Sequence, residues 1–496
     1  MRVAIIGGGI GGMTTALLLS KRGVDVTIFE KEDHLGGRLS FVEEDGFRVD
    51  KGPTIVLLPE MIKEILSEAG VDSSSYELIK CDPLYRIHYP NGTDYIKYAD
   101  PKQQIKEIQE KFPRDVDGFI QFMKDMDVRF KLGKKKILEK SFIRQSDFWN
   151  KETIQTLVKL KAYKNVFKQL SQYFNDERLM ISYALQTLYI GGNPLSTPAI
   201  YSLVSYSEHE HGIYYIKGGY ASIVQVLEKE LRKRNVTIRL NSRVENIETR
   251  GFKAEHINVD GKKESFDQFV LNGDFPIAEK QLLQREQNYT PSSGCLLLYF
   301  GLDKIYEDQL PHQFFIGENF VDSMKDIFER KQIPTHPSYY TFNPTVIDTT
   351  LAPSNQSVLY VLVPVPSGSH INWSVQGRLL AERVINHMEE NGFKQIRKHI
   401  KWQKIRTPGD AIYEGLFSGG SFGIAPTLFQ SGVFRPQLKP FKEDNIFAVG
   451  ASVHPGGGVP IVMQGAKLLA DYLLREDIHN TEREEVSYVG SNSKGI

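Results

Sequence analysis

One stretch restricts the fold of this chain more than any other: the opening MRVAIIGGGIGGMTTALLLSKRGVDVTIFEK. Val3 to Ile6 predict a short buried strand, Met13 to Lys21 a helix, and Val24 to Phe29 a second strand. Gly7, Gly8, Gly9 and Gly12 lie between the first strand and the helix and supply G-x-G-x-x-G. Alone the motif is weak. Here it follows a strand, opens a helix and precedes an acid, Glu30, at about the 20-residue spacing that a dinucleotide fingerprint requires. Each glycine has a task. Gly7 allows the tight turn, Gly9 lets a pyrophosphate approach the backbone, and Gly12 lets the helix pack on the strand. The helix N-terminus attracts the phosphates, and Glu30 is placed to accept hydrogen bonds from the adenosine ribose. The expected class is α/β, with a Rossmann-type dinucleotide-binding domain.

A second set of glycines bears on which dinucleotide is bound. Gly36-Gly37 precedes Arg38, and Gly52-Pro53-Thr54 follows the strand-like GFRVD. A nicotinamide cofactor does not need this second set. A long, buried flavin dinucleotide needs further close approach of backbone and a cation, and the planar, multi-donor guanidinium of Arg38 suits that. No second dinucleotide fingerprint follows; LFSGGSFG (416–423) reads as a loop. The flavin therefore takes electrons from the substrate and passes them to oxygen or a quinone rather than receiving them from a nicotinamide.

With 496 residues the chain exceeds one simple core. Its formal net charge of zero removes a global electrostatic case for nucleic acid. Cys81 and Cys295 match neither a zinc nor a disulfide pattern. His209 and His211 lie two apart, would share a face on a strand, and read as structural or solvated; no metal is expected. No apolar run reaches the ~18 residues of a membrane span, and no secretory signal is visible.

The chain is expected to weave between two units. Residues 1–80, 205–275 and 441–478 form the dinucleotide-binding parts. Residues 81–204 form a helical insertion that begins with a hairpin turning at Asn91-Gly92. Residues 276–440 form an α+β substrate part containing the strands GCLLLYFGL and SVLYVLVPVP. Residues 479–496 read as an unstructured tail. A helix is predicted over Ala221–Arg234 and a strand over Val236–Leu240.

DHLGGR after the second strand resembles the glutathione-reductase-like FAD superfamily, in its amine oxidase, desaturase and Rab-GDI branch. GPTIVLLP, YYIKGGY, GSFGIAPTLFQSGVFRPQ and VGASVHPGGGVPIVMQGAK narrow the resemblance to the bacterial carotenoid desaturase family. It runs from about residue 2 to 475 and is nearest the dehydrosqualene (4,4'-diapophytoene) desaturases of C30 pathways. The resemblance implies FAD, an apolar polyene substrate, and hydride and proton loss from successive CH2–CH2 units. C40 phytoene desaturation and oxidation of the terminal methyl of diaponeurosporene stay open, as do, more distantly, an amine oxidase and a GDI-like lipid binder. The resemblance also implies that Val244 contacts adenine through its backbone and that Gly450 lets the last strand approach the cofactor. Backbone N–H groups around Val462 and Met463 would point at the flavin, and His454 is the candidate for relaying the departing proton, unless its ring packs or hydrogen-bonds to hold the loop.

A bilayer-soluble substrate implies docking. The segment Arg129–Trp149 interleaves basic residues with Phe130, Leu132, Ile137, Leu138, Phe142 and Ile143. Basic plus apolar on a helix reads as an interfacial segment. The expected location is cytoplasmic, peripheral to the inner face of the cell membrane, with this helical region facing lipid.

Overall fold

A computed structural model describes the backbone of residues 1–143 and 145–492, and the side chains of 1–143 and 146–476. The opening folds as strand Arg2–Ile6, helix Ile10–Ser20 and strand Asp25–Phe29. These strands lie within a five-stranded parallel sheet. Its order is Ile446–Ala448, Gln268–Leu271, Arg2–Ile6, Asp25–Phe29, Thr237–Arg239. Val3, Ala4 and Ile5 are wholly buried, as near-continuous apolar strands of a parallel sheet are. Helix Ile10–Ser20 is buried from Ile10 to Leu19, which suits a helix apolar all round. It packs between helix Ser222–Lys233 and the final helix, Val459–Asn492.

Helix Ser222–Lys233 buries Ile223, Val224, Leu227 and Leu231 at helical spacing. Its start is held from outside, because the Asp50 carboxylate accepts the N–H groups of Tyr220 and Ala221, both at 2.9 Å. A carboxylate at a helix N-terminus satisfies donors that have no partner within the helix. The final helix continues into the segment expected to be unstructured. The side chains of that segment, and residues 493–496 altogether, lie outside the described residues.

The second unit is a seven-stranded sheet. Its order is Ile400–Arg406, Gly294–Leu302, Ser357–Val365, Tyr339–Phe342, His312–Phe315, Tyr85–His88, Asp94–Lys97. The segments read separately as 81–204 and 276–440 are thus joined, through a parallel pairing of Gln313–Phe315 with Arg86–His88. The hairpin at Asn91-Gly92 forms as predicted. Strand alternation divides the long central strands between two cores. Leu296, Leu298, Phe300, Leu359, Val361 and Val363 pack with helix Trp373–Glu390, while Leu297, Tyr299 and Tyr360 belong to the core on the other face.

Two local readings change. His209 and His211 end a helix, Ser202–His211, rather than sharing a strand face. No breaker interrupts SLVSYSEHEH before Gly212, whose φ is +78°. His209 is buried between the Tyr183 hydroxyl (3.0 Å) and the Tyr98 carbonyl (2.8 Å), a structural position. Arg129–Trp149 is not one amphipathic helix. Helix Val116–Gly133 widens into a π-turn at Lys134–Leu138, and a short helix follows at Gln145–Phe148. Arg129 is buried, donating to Gln169 Oε1 at 2.8 Å. Lys131 pairs with Asp127, Lys134 with Glu139 and Lys136 with Glu152. Arg144 lies outside the described residues.

Candidate functional site

A cavity of about 930 Å³ joins the two units. One end is lined by Gly7, Gly9, Glu30, Gly37, Arg38 and Val244, the other by the aromatic strands of the larger sheet. Gly52, Pro53, Thr54, Gly450, His454 and Val462 line it too, so the structure brings together almost every residue singled out from the sequence.

The glycine loop is tightly built. Gly7 has φ of +108°, and a Cβ there would sit 2.9 Å from the Asn272 carbonyl oxygen. A Cβ on Gly12 would meet the Gly7 carbonyl oxygen at 2.5 Å, which is the helix-on-strand contact expected of it. On Gly8 a Cβ would meet the Leu35 side chain at 2.3 Å; this residue serves packing and does not line the cavity. Asn272, not foreseen from the sequence, holds the loop by donating to the Gly7 (2.8 Å) and Gly9 (3.2 Å) carbonyls. Glu30 is buried and accepts the N–H of Gly8 at 2.7 Å and of Glu32 at 3.0 Å. A carboxylate has about four acceptor positions, so capacity for ribose hydroxyls remains.

Arg38 pairs with Asp274 at 2.5 Å, and the Asp274 side chain is almost wholly buried. Burial pushes the Asp274 carboxyl above its ordinary value, against the pull of Arg38. This contact uses one of the five guanidinium donors, leaving others for a phosphate. A Cβ on Gly52 would strike the Arg38 carbonyl oxygen at 2.4 Å, so the second glycine set fixes the backbone beneath that arginine.

At the C-terminal loop the geometry is the opposite. Gly456 and Gly458 have φ of +143° and +96°, and the nearest atoms to a Cβ there lie 4.0 and 3.9 Å away, on Ile461. These glycines border open cavity, and side chains would fill it. A cradle closed behind the glycines at one end and open before them at the other fits a long flavin dinucleotide. Val462 lines the cavity, but its N–H donates to the Gly458 carbonyl at 2.9 Å. Met463 is in the core and does not line the cavity. The N–H groups without an intrahelical partner therefore belong to Val459 and Ile461, because a helix leaves only its first turn unpaired.

His454 is buried. Its Nε2 lies 2.9 Å from the Lys140 carbonyl and its ring sits edge-on to Phe142, 5.2 Å between centroids. Burial lowers its pKa to about 4. A neutral imidazole donating to a carbonyl ties the cofactor loop to the segment at the cavity mouth. Of the two readings open for it, these contacts suit the holding role better than the proton relay.

The substrate end is apolar, as expected for GCLLLYFGL and SVLYVLVPVP. Cys295, Leu297, Tyr360 and Leu362 line it from the faces opposite those packed on helix Trp373–Glu390. Phe314 and Tyr340 extend this wall. They come from His312–Phe315 and Tyr339–Phe342, whose only sequence signal is a run of aromatic residues. The glycine-rich LFSGGSFG also reaches the cavity, through Leu416, Ser421 and Phe422.

Comparison with known proteins places this geometry. The profile of flavin containing amine oxidoreductases matches residues 10–474. The chain is 57% identical over 493 residues to the 4,4'-diapolycopen-4-al dehydrogenase of Metabacillus indicus, covering 99% of this chain and 100% of that one. It is 33% identical over 502 residues to the 4,4'-diapophytoene desaturase (4,4'-diaponeurosporene-forming) of Staphylococcus haemolyticus, covering 97% and 100%. Among solved structures, putrescine oxidase bound to putrescine shares the fold with a TM-score of 0.61 at 13% identity, covering 96% of this chain and 99% of that one.

Proposed function

The chain belongs to the family of flavin containing amine oxidoreductases, in its bacterial carotenoid desaturase group, and from that premise we propose that it oxidises the aldehyde end of a C30 polyene. It is an FAD-dependent oxidoreductase of the carotenoid desaturase type; the end-group specificity is the proposal. What carries it is the difference in identity: 57% to a relative named for an aldehyde substrate, against 33% to one named for desaturation. This moves the preferred substrate from the CH2–CH2 unit expected at first to a later intermediate. Desaturation of 4,4'-diapophytoene is the second reading, supported by the 33% relative.

Bound FAD supplies the two-electron acceptor. Gly9, Gly37, Gly456 and Gly458 would hold it, with Glu30 toward the ribose and Arg38 toward the phosphates. The apolar faces around Leu297 and Leu362 receive the polyene and exclude water along its length. At the aldehyde end a water molecule adds to the carbonyl carbon; the resulting hydrate would give its C–H hydride to the two-electron acceptor and a proton to solvent, leaving the acid, and oxygen or a membrane quinone would be the final electron acceptor. Anaerobic mixing of FAD-loaded protein with vesicles containing a C30 polyene aldehyde or 4,4'-diapophytoene separates the readings. We expect the aldehyde to bleach the flavin at least about tenfold faster (~1.4 kcal/mol) and to emerge as the acid. Bleaching by diapophytoene alone would favour the second reading, and bleaching by neither would sink both.

Docking at a membrane surface belongs to the same proposal, and its support lies beside the cavity mouth. Among the described residues no helix is long and apolar enough to cross a membrane. Helix Lys151–Lys159 is inverted: Thr153 and Thr156 face inward, while Ile154 and Val158 are 46% and 59% exposed. Trp149 and Phe434, which line the mouth, and Phe429 beside them form an exposed aromatic cluster, with centroids 6.0 and 5.7 Å apart in sequence of contact. Apolar side chains turned outward around a tunnel mouth suit insertion among lipid headgroups. Replacing Trp149, Val158 and Phe429 by serine is expected to weaken co-sedimentation with anionic vesicles at least about tenfold, from ~1 kcal/mol or more of apolar burial per side chain. Thermal stability should barely change, because the groups are exposed. Unaltered co-sedimentation would refute this docking face.

A further inference from the structure

We propose that the linked hydroxyls of Thr54 and Tyr340 form a subsite for an oxygen atom on the end of the polyene, making Tyr340 a specificity-determining residue. The inference rests on the reading that this cavity takes a polyene. Both residues line the cavity. Tyr340 stands beside Phe314, with ring centroids 4.9 Å apart, in a wall that a pure hydrocarbon would need only as carbon.

Behind that wall runs a buried chain of polar groups. The Tyr340 hydroxyl lies 2.9 Å from Thr54 Oγ1 and 2.7 Å from His312 Nδ1. His312 Nε2 lies 3.6 Å from Cys81 Sγ. His312 and Cys81 are closed off from solvent, at 0% and 3% exposure. Burial lowers the His312 ring to about 3 and raises the Cys81 thiol to about 12, so neither carries charge near neutral pH. The chain is neither an ion pair nor a store of protons.

Its use lies in its polarity. Every member carries one hydrogen and can also accept one. With the thiol donating to His312, and His312 and Thr54 both donating to Tyr340, the Tyr340 hydroxyl has its own hydrogen free for the cavity. With Tyr340 donating to His312 instead, and Thr54 still donating to Tyr340, the two hydroxyl oxygens offer lone pairs. An aldehyde oxygen needs the hydrogen; the hydroxyl of an aldehyde hydrate can use either. A CH2–CH2 unit uses neither. Both hydroxyls already have partners in the wall; what they hold out to an oxygenated end group is their unused capacity, a hydrogen or a lone pair, in an otherwise apolar lining. His312 and Cys81 act through Tyr340 and are positioning residues.

The test compares FAD-loaded wild-type protein with Tyr340→Phe, which removes one oxygen and keeps the ring. The probes are a C30 polyene aldehyde and its parent hydrocarbon, each in the same detergent micelles. For the wild type we expect the bound aldehyde's visible band to shift to the red, since a hydrogen bond at the carbonyl polarises the conjugated chain. In Tyr340→Phe that shift should shrink and aldehyde affinity should fall about tenfold more than hydrocarbon affinity, with FAD content unchanged. Equal weakening of both polyenes, no weakening of either, or loss of FAD from the variant would overturn the subsite. If wild-type protein binds neither polyene, the reading of the function fails, and the subsite with it.

Discussion

Gly12→Val is expected to give a folded but colourless protein, with FAD affinity reduced on the order of a hundredfold or more, since overpacking of 1–3 kcal/mol or beyond acts directly on the cofactor loop. A Cβ at this position would lie 2.5 Å from the Gly7 carbonyl oxygen, 2.7 Å from Asn272 Nδ2 and 3.0 Å from Ile5 Cγ2. The first is backbone, and the second is held by its bonds to the Gly7 and Gly9 carbonyls. Neither can step aside without moving the loop. The helix must lift from its strand, and its N-terminus, which faces the pyrophosphate in this class of site, moves with it. Gly23→Ala is the control. Unlike the helical Gly12, Gly23 has a left-handed φ, +79°, and no atom lies within 4 Å of its Cβ position. That variant should lose about 1 kcal/mol and keep its flavin. Absorbance of the purified proteins measures flavin content directly, and far-UV circular dichroism checks the fold. A Gly12→Val protein as yellow as wild type would show that the helix start does not depend on this contact.

That prediction was legible from the first line of the sequence, and the reason is local. Gly12 acts on Gly7 and Ile5, a few residues away, so residue type and spacing carry that contact, whereas Asn272, which closes the loop from 265 positions beyond Gly7, left no local signal. The alternating faces of GCLLLYFGL and SVLYVLVPVP were legible in the same way, because side-chain direction alternates along any strand. Other features depend on partners distant in sequence. Arg38 meets Asp274 across 236 positions, and Thr54 meets Tyr340 across 286. Nothing near Arg38 announces the aspartate that shares it. Val462 illustrates a finer limit. Its place at the helix start was foreseen, but which N–H groups remain free depends on where the helix begins, and one residue decides it. An interfacial segment was expected at Arg129–Trp149, where Lys131, Lys134 and Lys136 pair with acids. The outward apolar side chains come instead from Lys151–Lys159, whose threonines occupy the inner face.

Lys97→Met should be the most destabilising single substitution outside the cofactor loop, at about 3–5 kcal/mol for one broken buried ion pair. Lys97 ends the edge strand Asp94–Lys97, where sequence alone would leave it in water. Instead Lys97 and Glu208 are both wholly buried, with Nζ 2.7 Å from Oε2. The Tyr85 hydroxyl donates to the same Oε2 at 2.7 Å and accepts from Nζ at 2.9 Å; Gln186 Nε2 donates to both. Nζ also lies 4.4 Å from the Tyr183 ring centroid, a cation–π contact. Burial pulls the Lys97 ammonium below its ordinary value, and Glu208 opposes that pull. Methionine fills the lysine's volume but leaves Glu208 as a carboxylate with only neutral donors. The double variant Lys97→Met/Glu208→Gln removes both charges and should recover most of the loss, so the two single effects should not add. Denaturant unfolding of the FAD-loaded proteins reads all three. Tyr85 packs on Phe314, 4.9 Å between ring centroids, so this network supports the aromatic wall of the cavity from behind. Loss of the pair should therefore weaken polyene binding even where the protein stays folded, and the double variant should restore stability more fully than binding. A single Lys97→Met variant as stable as wild type would mean that Glu208 is not held there as a charge.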